Sequence, residues 1–206
     1  MSVTYKVGAG LYVNVTNRCT NCCEFCIRRY GEGVGSADSL WLEREPSKEE
    51  ILGEIEASGL TQYSELVFCG YGEPLERFDD VVWVCHALRQ THKIPIRINT
   101  NGQSDLICGR ETPPELAGIV DVISISLNAP DARTYAKLCS PVFGERTFDA
   151  VMKFAADCIR YIPKVILSVV DVIDDEQIAR CRALAEGIGA EFRVRSLLTS
   201  GSGPTE

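Results

Sequence analysis

Four cysteines fall within eight residues: Cys19, Cys22, Cys23 and Cys26. Three of them, Cys19, Cys23 and Cys26, are spaced C-x3-C-x2-C, and Cys22 is the extra one. Thiolates this dense on one loop converge on a single soft centre, either zinc or an iron–sulfur cluster. Structural zinc takes four closed ligands, usually from two C-x2-C knuckles far apart in sequence. The other cysteines (Cys69, Cys85, Cys108, Cys139, Cys158 and Cys181) stand singly, so there is no second knuckle. Three thiolates would leave one iron of a [4Fe–4S] cluster open, and an open position is where a substrate or cofactor binds. On spacing alone, a tight zinc or copper site, or a set of reactive loop thiols, remains the alternative.

The elements that must position this loop are legible on either side of it. Residues 11–16 alternate and are β-rich, so they predict a strand with the cysteine loop at its C-terminal end. A glycine-rich loop follows over 31–36, and Leu40-Trp41-Leu42 leads to Ser47, an N-cap with Glu50 completing a capping box. A helix is expected over 48–58, buried through Ile51, Leu52 and Ile55. Further strands are expected over 65–69, 94–100, 120–127, 164–172 and 191–198. Helices are expected over 78–91, from Pro113 onward, over 131–138, 147–161 and 175–187. Alternating strands and helices give a parallel α/β sheet with right-handed crossovers. Six such units suit an open doubly wound sheet or a partial barrel. No G-x-G-x-x-G follows the first strand, so a dinucleotide fold lacks its phosphate turn. Residues 1–199 are expected to form one domain and 200–206 a flexible tail.

Ligands of such folds sit at the C-terminal strand ends, and the unusual residues gather there. Gly70-Tyr71-Gly72-Glu73-Pro74 closes the second strand. Its glycines permit positive φ and leave backbone carbonyls bare, although an ordinary turn has the same composition. Asn99-Thr100-Asn101-Gly102 closes the third, where Asn101 also suits an Asx turn. Ser124, Ser126 and Asn128 share one face of the fourth strand. Such a stripe needs partners, because an unpaired polar group costs about 1–3 kcal/mol to bury. A ligand is the expected partner of Ser126 and Asn128. Asp171 and Arg195 are weaker candidates, equally suited to structural ion pairs, as Arg28 and Arg29 are to a solvated loop. His86 and His92 are six apart, off one helical face, and Cys69, Cys85 and Cys139 read as small buried hydrophobes.

Taken together, the cysteine spacing with Phe25 before the last cysteine, and the Gly-Tyr-Gly-Glu-Pro turn one unit later, resemble the radical S-adenosylmethionine (SAM) superfamily. The resemblance implies the partial (β/α)6 barrel of that superfamily's core, and a [4Fe–4S] cluster on Cys19, Cys23 and Cys26. It implies SAM on the fourth iron, cleaved by one electron to methionine and a 5′-deoxyadenosyl radical. SAM contacts carry over onto Phe25, Gly70, Gly72, Glu73, Asn99, Ser126 and Asn128, with Glu73 and the glycine-loop carbonyls receiving the SAM ammonium. Tyr71 stands where the family's turn has a second glycine, and Asn99 where its activating enzymes have aspartate.

Within the superfamily, the similarly compact 7-carboxy-7-deazaguanine synthases and glycyl-radical-activating enzymes are the alternatives, although Cys26-Ile27-Arg28 departs from the Cys-Asp-Thr of the first and the Trp-Cys-x-Asn-Pro of the second is missing. Asn17-Arg18-Cys19-Thr20, Leu40-Trp41-Leu42-Glu43-Arg44-Glu45-Pro46 and Ser126-Leu127-Asn128-Ala129-Pro130 look most like the small TatD-associated radical SAM proteins. That resemblance implies a link to a TatD-type nuclease, an external electron donor such as flavodoxin or ferredoxin, and an oxidoreductase or lyase. The chain ends soon after the last strand, so a single cluster is expected. The alternative class is an iron–sulfur electron-transfer or metal-binding module without SAM chemistry. Trp41 is expected either to cover the barrel mouth as a lid or to seal the first helix against the sheet.

Bulk properties bound the rest. A chain of 206 residues suits one domain burying about 70% of its unfolded surface. A net charge of −8 argues against broad nucleic-acid or anionic-membrane binding. No apolar run is long enough to span a membrane, and the first residues lack a signal peptide's apolar centre. Ten cysteines without an export signal suggest reduced thiols and a cytoplasmic location.

Overall fold

The strand that delivers the cysteine loop is already paired before the loop begins. In the computed structural model, which describes residues 2–29 and 33–197, β1 (Thr4–Val7) and β2 (Gly10–Val13) form an antiparallel hairpin. Gly8 takes φ 54° in the two-residue turn between them, a left-handed conformation that glycine adopts without strain. The sequence pattern announces β2 but not β1, whose four residues lie at the sheet edge.

From β2 onward every pairing is parallel. β3 (Glu65–Phe68), β4 (Ile96–Thr100), β5 (Val122–Ser126), β6 (Lys164–Val170) and β7 (Glu191–Arg195) follow in chain order, completing a seven-stranded sheet. β1 and β7 are its two edges and do not pair, so the sheet stays open, as a partial barrel requires. The expected strand end at residue 198 and the tail at 200–206 fall outside the described residues, as do 31 and 32 of the glycine-rich loop.

The helices are α1 (Lys48–Ala57), α2 (Phe78–Thr91), α3 (Ser104–Cys108), α4 (Ala132–Cys139), α5 (Arg146–Cys158) and α6 (Asp175–Ile188). Ser47 and Glu50 make the expected capping box on α1. The helix expected from Pro113 is instead a 3-10 turn, Pro113–Leu116. Two adjacent prolines remove two N–H donors, and the turn closes through Glu115 N to Thr112 O and Ala117 N to Pro114 O. The α-helix of that connection is α3, just upstream.

Strand side chains divide by parity. Leu11, Val13, Leu66, Phe68, Ile98 and Ile125 face the helices and form the core. On the other face, Tyr12, Val67, Arg97, Val122 and Lys164 lie in register across β2 to β6. That face lines a hollow of about 830 Å³ whose wall includes Tyr12, Glu65, Arg97, Asn99, Lys164 and Arg195. A second, smaller apolar cluster joins Tyr5, Ala37, Leu40 and Tyr71. Among the described residues no helix is long and apolar enough to cross a membrane.

Candidate functional site

The cysteine loop leaves the C-terminal end of β2 and is held from three directions. The turn after β3 holds it through Glu73 N to Arg18 O at 2.8 Å. The turn after β4 holds it through Asn101 Nδ2 to Thr20 Oγ1 at 2.8 Å. The end of α4 holds it through Cys22 N to Cys139 O at 2.9 Å, Glu24 N to Leu138 O at 3.1 Å and Val142 N to Thr20 O at 2.9 Å. Beneath it, Asn21 Nδ2 donates to the Tyr135 hydroxyl at 3.1 Å, and Gln103 Nε2 donates to Asn21 Oδ1 at 2.8 Å and to the same hydroxyl at 3.0 Å. Phe25 packs against the core.

All ten cysteines are free thiols. Burial pushes the Cys19 thiol up to about 12, and the nearby Glu73 carboxylate adds to it. Contact with the Cys139 thiol, then burial, pushes Cys23 up as well. The Arg28 guanidinium lies within electrostatic reach of Cys26, Cys19 and Cys22. No three His, Cys, Asp or Glu side chains among the described residues already surround one point at ligating distance. The donor set nevertheless fits a thiolate-held cluster: three unpaired thiols on one stapled loop, with a cation beside them. A bound metal converts thiol to thiolate, overriding the burial that keeps Cys19 and Cys23 protonated without it.

Gly70 and Gly72 are not at positive φ, so the conformational reason expected for them is replaced by close approach. A Cβ on Gly70 would lie 2.0 Å from Asn14 Oδ1, and one on Gly72 2.3 Å from Thr16 O and 2.5 Å from Arg18 O. The turn therefore lies directly against the backbone of the cysteine loop. Gly72→Ala meets backbone rather than a movable side chain, so it is expected to cost about 2–4 kcal/mol of stability and to loosen iron retention. Urea denaturation and iron content check this; an unchanged midpoint would contradict the close packing.

Glu73 is 3% exposed, and its carboxylate is occupied by the protein. Oε1 accepts from Leu75 N at 3.0 Å and Thr100 Oγ1 at 2.7 Å, and Oε2 accepts from Asn101 N at 2.6 Å. It is a strut between the β3 and β4 turns, with three of its acceptor sites filled by the protein. Burial raises its pKa to about 7 despite these hydrogen bonds, each of which pulls the value down.

The remaining strand-end residues divide. Asn99 Oδ1 and Asn128 Oδ1 are buried without a hydrogen-bond partner among the described residues, as is Asn14 Oδ1, which sequence reasoning missed. Asn99 lines the hollow, and Asn128 holds a left-handed φ of 57° at the end of β5. Ser126 Oγ accepts from Arg195 at 3.3 Å. Asn101 both makes the Asx turn, accepting from Gln103 N at 3.0 Å, and grips the cysteine loop. Among the described residues Asp171 is in no ion pair; it accepts from Leu197 N at 2.7 Å. Arg28 and Arg29 donate to their own loop, at Asn17 O and Cys23 O. Nothing in the sequence pattern signals Asn21, Gln103 and Tyr135, which meet only through the fold.

Trp41 is 45% exposed, while Leu40 and Leu42 beside it are 1% and 6% exposed. Leu40 packs with Tyr5, Ala37 and Tyr71. The indole meets Tyr71 edge-on at 5.1 Å with the Arg28 guanidinium 5.7 Å over it, next to the cysteine loop.

A model of the radical SAM superfamily matches residues 13–185. No curated protein matches the chain. Among solved structures, SuiB of Streptococcus suis bound to its precursor peptide SuiA is similar at a TM-score of 0.66 and 17% identity, over 93% of this chain and 40% of SuiB. SuiB bound to S-adenosylmethionine is similar at 0.63 and 19%, over 95% and 40%. A radical SAM methyltransferase from Sphaerobacter thermophilus is similar at 0.63 and 17%, over 98% and 62%. The chain thus spans about 40–62% of the length of these proteins. Their likeness is one of fold, and it places the open parallel sheet of this chain among theirs. Its match over residues 13–185 shows that the chain belongs to the radical SAM superfamily, whose members use a [4Fe–4S] cluster and S-adenosylmethionine.

Proposed function

We propose that this chain cleaves SAM reductively at a [4Fe–4S] cluster held by Cys19, Cys23 and Cys26, and that its substrate lies in the hollow of the sheet. The observation that carries this is the three-thiol loop stapled at the parallel strand ends, close to buried amide oxygens that lack donors. When bound, the cluster supplies the electron that splits SAM into methionine and a 5′-deoxyadenosyl radical. The chain supplies the holding groups. Bare carbonyls around Gly70 and Gly72 receive the ammonium; Asn99, Ser126 and Asn128 serve ribose or carboxylate, and Phe25 packs beneath the loop. An acceptor left empty in the folded protein has a standing cost that a donor on the cofactor removes.

The test is anaerobic reconstitution, reduction with dithionite and measurement of 5′-deoxyadenosine. Its formation is expected. A loaded cluster with no SAM cleavage would favour an electron-transfer module, and stoichiometric zinc with no iron would sink both readings.

Within the superfamily, the motifs around Cys19, Trp41 and Asn128 support a TatD-associated member, working in the cytoplasm with flavodoxin or ferredoxin as donor and linked to a TatD-type nuclease. Trp41 serves as a cover over the cysteine loop that excludes water from a radical intermediate. Trp41→Ala is expected to leave iron loading intact and to cost under about 1 kcal/mol of stability, since the ring is half-exposed. It should alter substrate-dependent turnover more than uncoupled SAM cleavage. Loss of the cluster on that substitution would make Trp41 a structural residue instead.

A further inference from the structure

The hollow carries an unbalanced charge. Four cations line it: Arg97, Lys164, Arg193 and Arg195. Two are neutralised, Arg97 by Glu65 at 2.7 Å and Lys164 by Glu191 at 2.9 Å. Arg97 and Lys164 both align with Val122, the first residue of β5, and so mark the floor. The other two stand higher on β7, where Arg195 is the last residue and therefore at the rim that also carries the cysteine loop.

Neither Arg193 nor Arg195 has a carboxylate partner among the described residues. The hydrogen bond from Arg195 goes to the neutral Ser126 Oγ at 3.3 Å. Separated by two along a strand, both side chains leave the same face. Burial of part of its guanidinium lowers the Arg195 pKa; Cys69 opposes this and repulsion from Arg193 adds to it. Both residues are exposed to solvent, hence reachable. In a chain of net charge −8, acidic partners are plentiful, yet this pair is left without one. Two adjacent guanidiniums without a counter-charge are stabilised by an anion that bridges them, and the guanidinium fork matches a carboxylate or a phosphate.

We propose that Arg193 and Arg195 form an anion subsite at the rim of the hollow that holds a carboxylate or phosphate group of the substrate. This rests on the hollow being the substrate chamber of the enzyme proposed above. Arg195 lies within electrostatic reach of Cys23, so a substrate anchored there is held on the side of the hollow toward the cysteine loop. Asn99, assigned to the cofactor, lies in the same hollow, which puts cofactor and anchored substrate side by side.

The test uses the reconstituted full chain with SAM bound, titrated calorimetrically with inorganic phosphate and, separately, with succinate. One of the two is expected to bind at a single site, and which one does so tells phosphate from carboxylate. The double variant Arg193→Gln/Arg195→Gln should weaken that binding about tenfold or more, with SAM affinity unchanged within about twofold. Arg44→Gln, outside the hollow, should change neither. If the double variant does not fold, Arg193→Lys and Arg195→Lys keep the charge, lose the fork, and should each weaken binding a few-fold. The proposal is overturned if neither probe binds the wild type or if the substitutions leave binding unchanged. It is also overturned if SAM affinity falls as far as probe affinity, because the pair would then hold the carboxylate of SAM. A 5′-deoxyadenosine assay on the wild type separates the two claims: its failure removes the enzyme reading, while intact cleavage without anion binding removes only the subsite.

Discussion

Cys19→Ala, Cys23→Ala and Cys26→Ala are each expected to reduce iron content and SAM cleavage to background, while Cys22→Ala keeps about four irons per chain and full cleavage. The contrast follows from what each residue contributes. Cys22 is exposed, its thiol accepts from Arg29 at 4.0 Å, and its structural bond, Cys22 N to Cys139 O, runs through the backbone. Alanine preserves that bond. The other three supply donors that no neighbour on the loop replaces. Cys139, although next to Cys23, is fully buried and packed in the core, so Cys139→Ala should also keep the iron. Iron per chain after anaerobic reconstitution, with the electron paramagnetic resonance spectrum of the reduced protein, decides the matter. Full iron in the Cys23→Ala variant would move the ligand set.

The second large effect belongs to Glu73. Its folded pKa of about 7 lies above its ordinary value of 4.5, so between those values the native chain holds more protons than the unfolded one. Stability from this group is therefore fully present below pH 4.5 and declines as pH rises to about 7, by about 3 kcal/mol in all. Glu73→Ala removes that dependence and leaves the N–H groups of Leu75 and Asn101 without acceptors. In the metal-free chain, urea denaturation should show Glu73→Ala less stable than wild type by about 2–4 kcal/mol at pH 5.5, with the gap about 2 kcal/mol smaller at pH 8. Charges shared by both proteins cancel in the comparison. A gap that widens with pH would mean the buried carboxylate is stabilised in its charged form.

What the sequence disclosed was local. The C-x3-C-x2-C spacing, the Ser47–Glu50 cap and the alternation of apolar runs with capped helices each lie within a few residues, and the cap and the parallel strand order appear in the structure. β1 escaped because four edge residues are too few to show a period, and α3 because five residues make barely more than one turn. The packing partners of Gly70, Gly72 and Glu73 were not legible for a different reason. Their partners (Asn14, Thr16, Arg18, Thr100 and Asn101) come from other strand ends, and only the folded sheet brings them together. The Asn21–Gln103–Tyr135 network spans 82 and 114 residues of chain, beyond any pattern visible along it.

That long reach sets an order of events during synthesis. The thiols are made well before the helix that braces their loop: Tyr135, on α4, follows Asn21 by 114 residues. At roughly 5–20 residues per second, the nascent loop waits on the order of ten seconds without its wall. For that interval it is a flexible run of four exposed thiols, open to whichever soft metal arrives first. Iron delivery to this protein therefore belongs after α4 has been made, and stalled chains ending before α4 should carry zinc in place of iron.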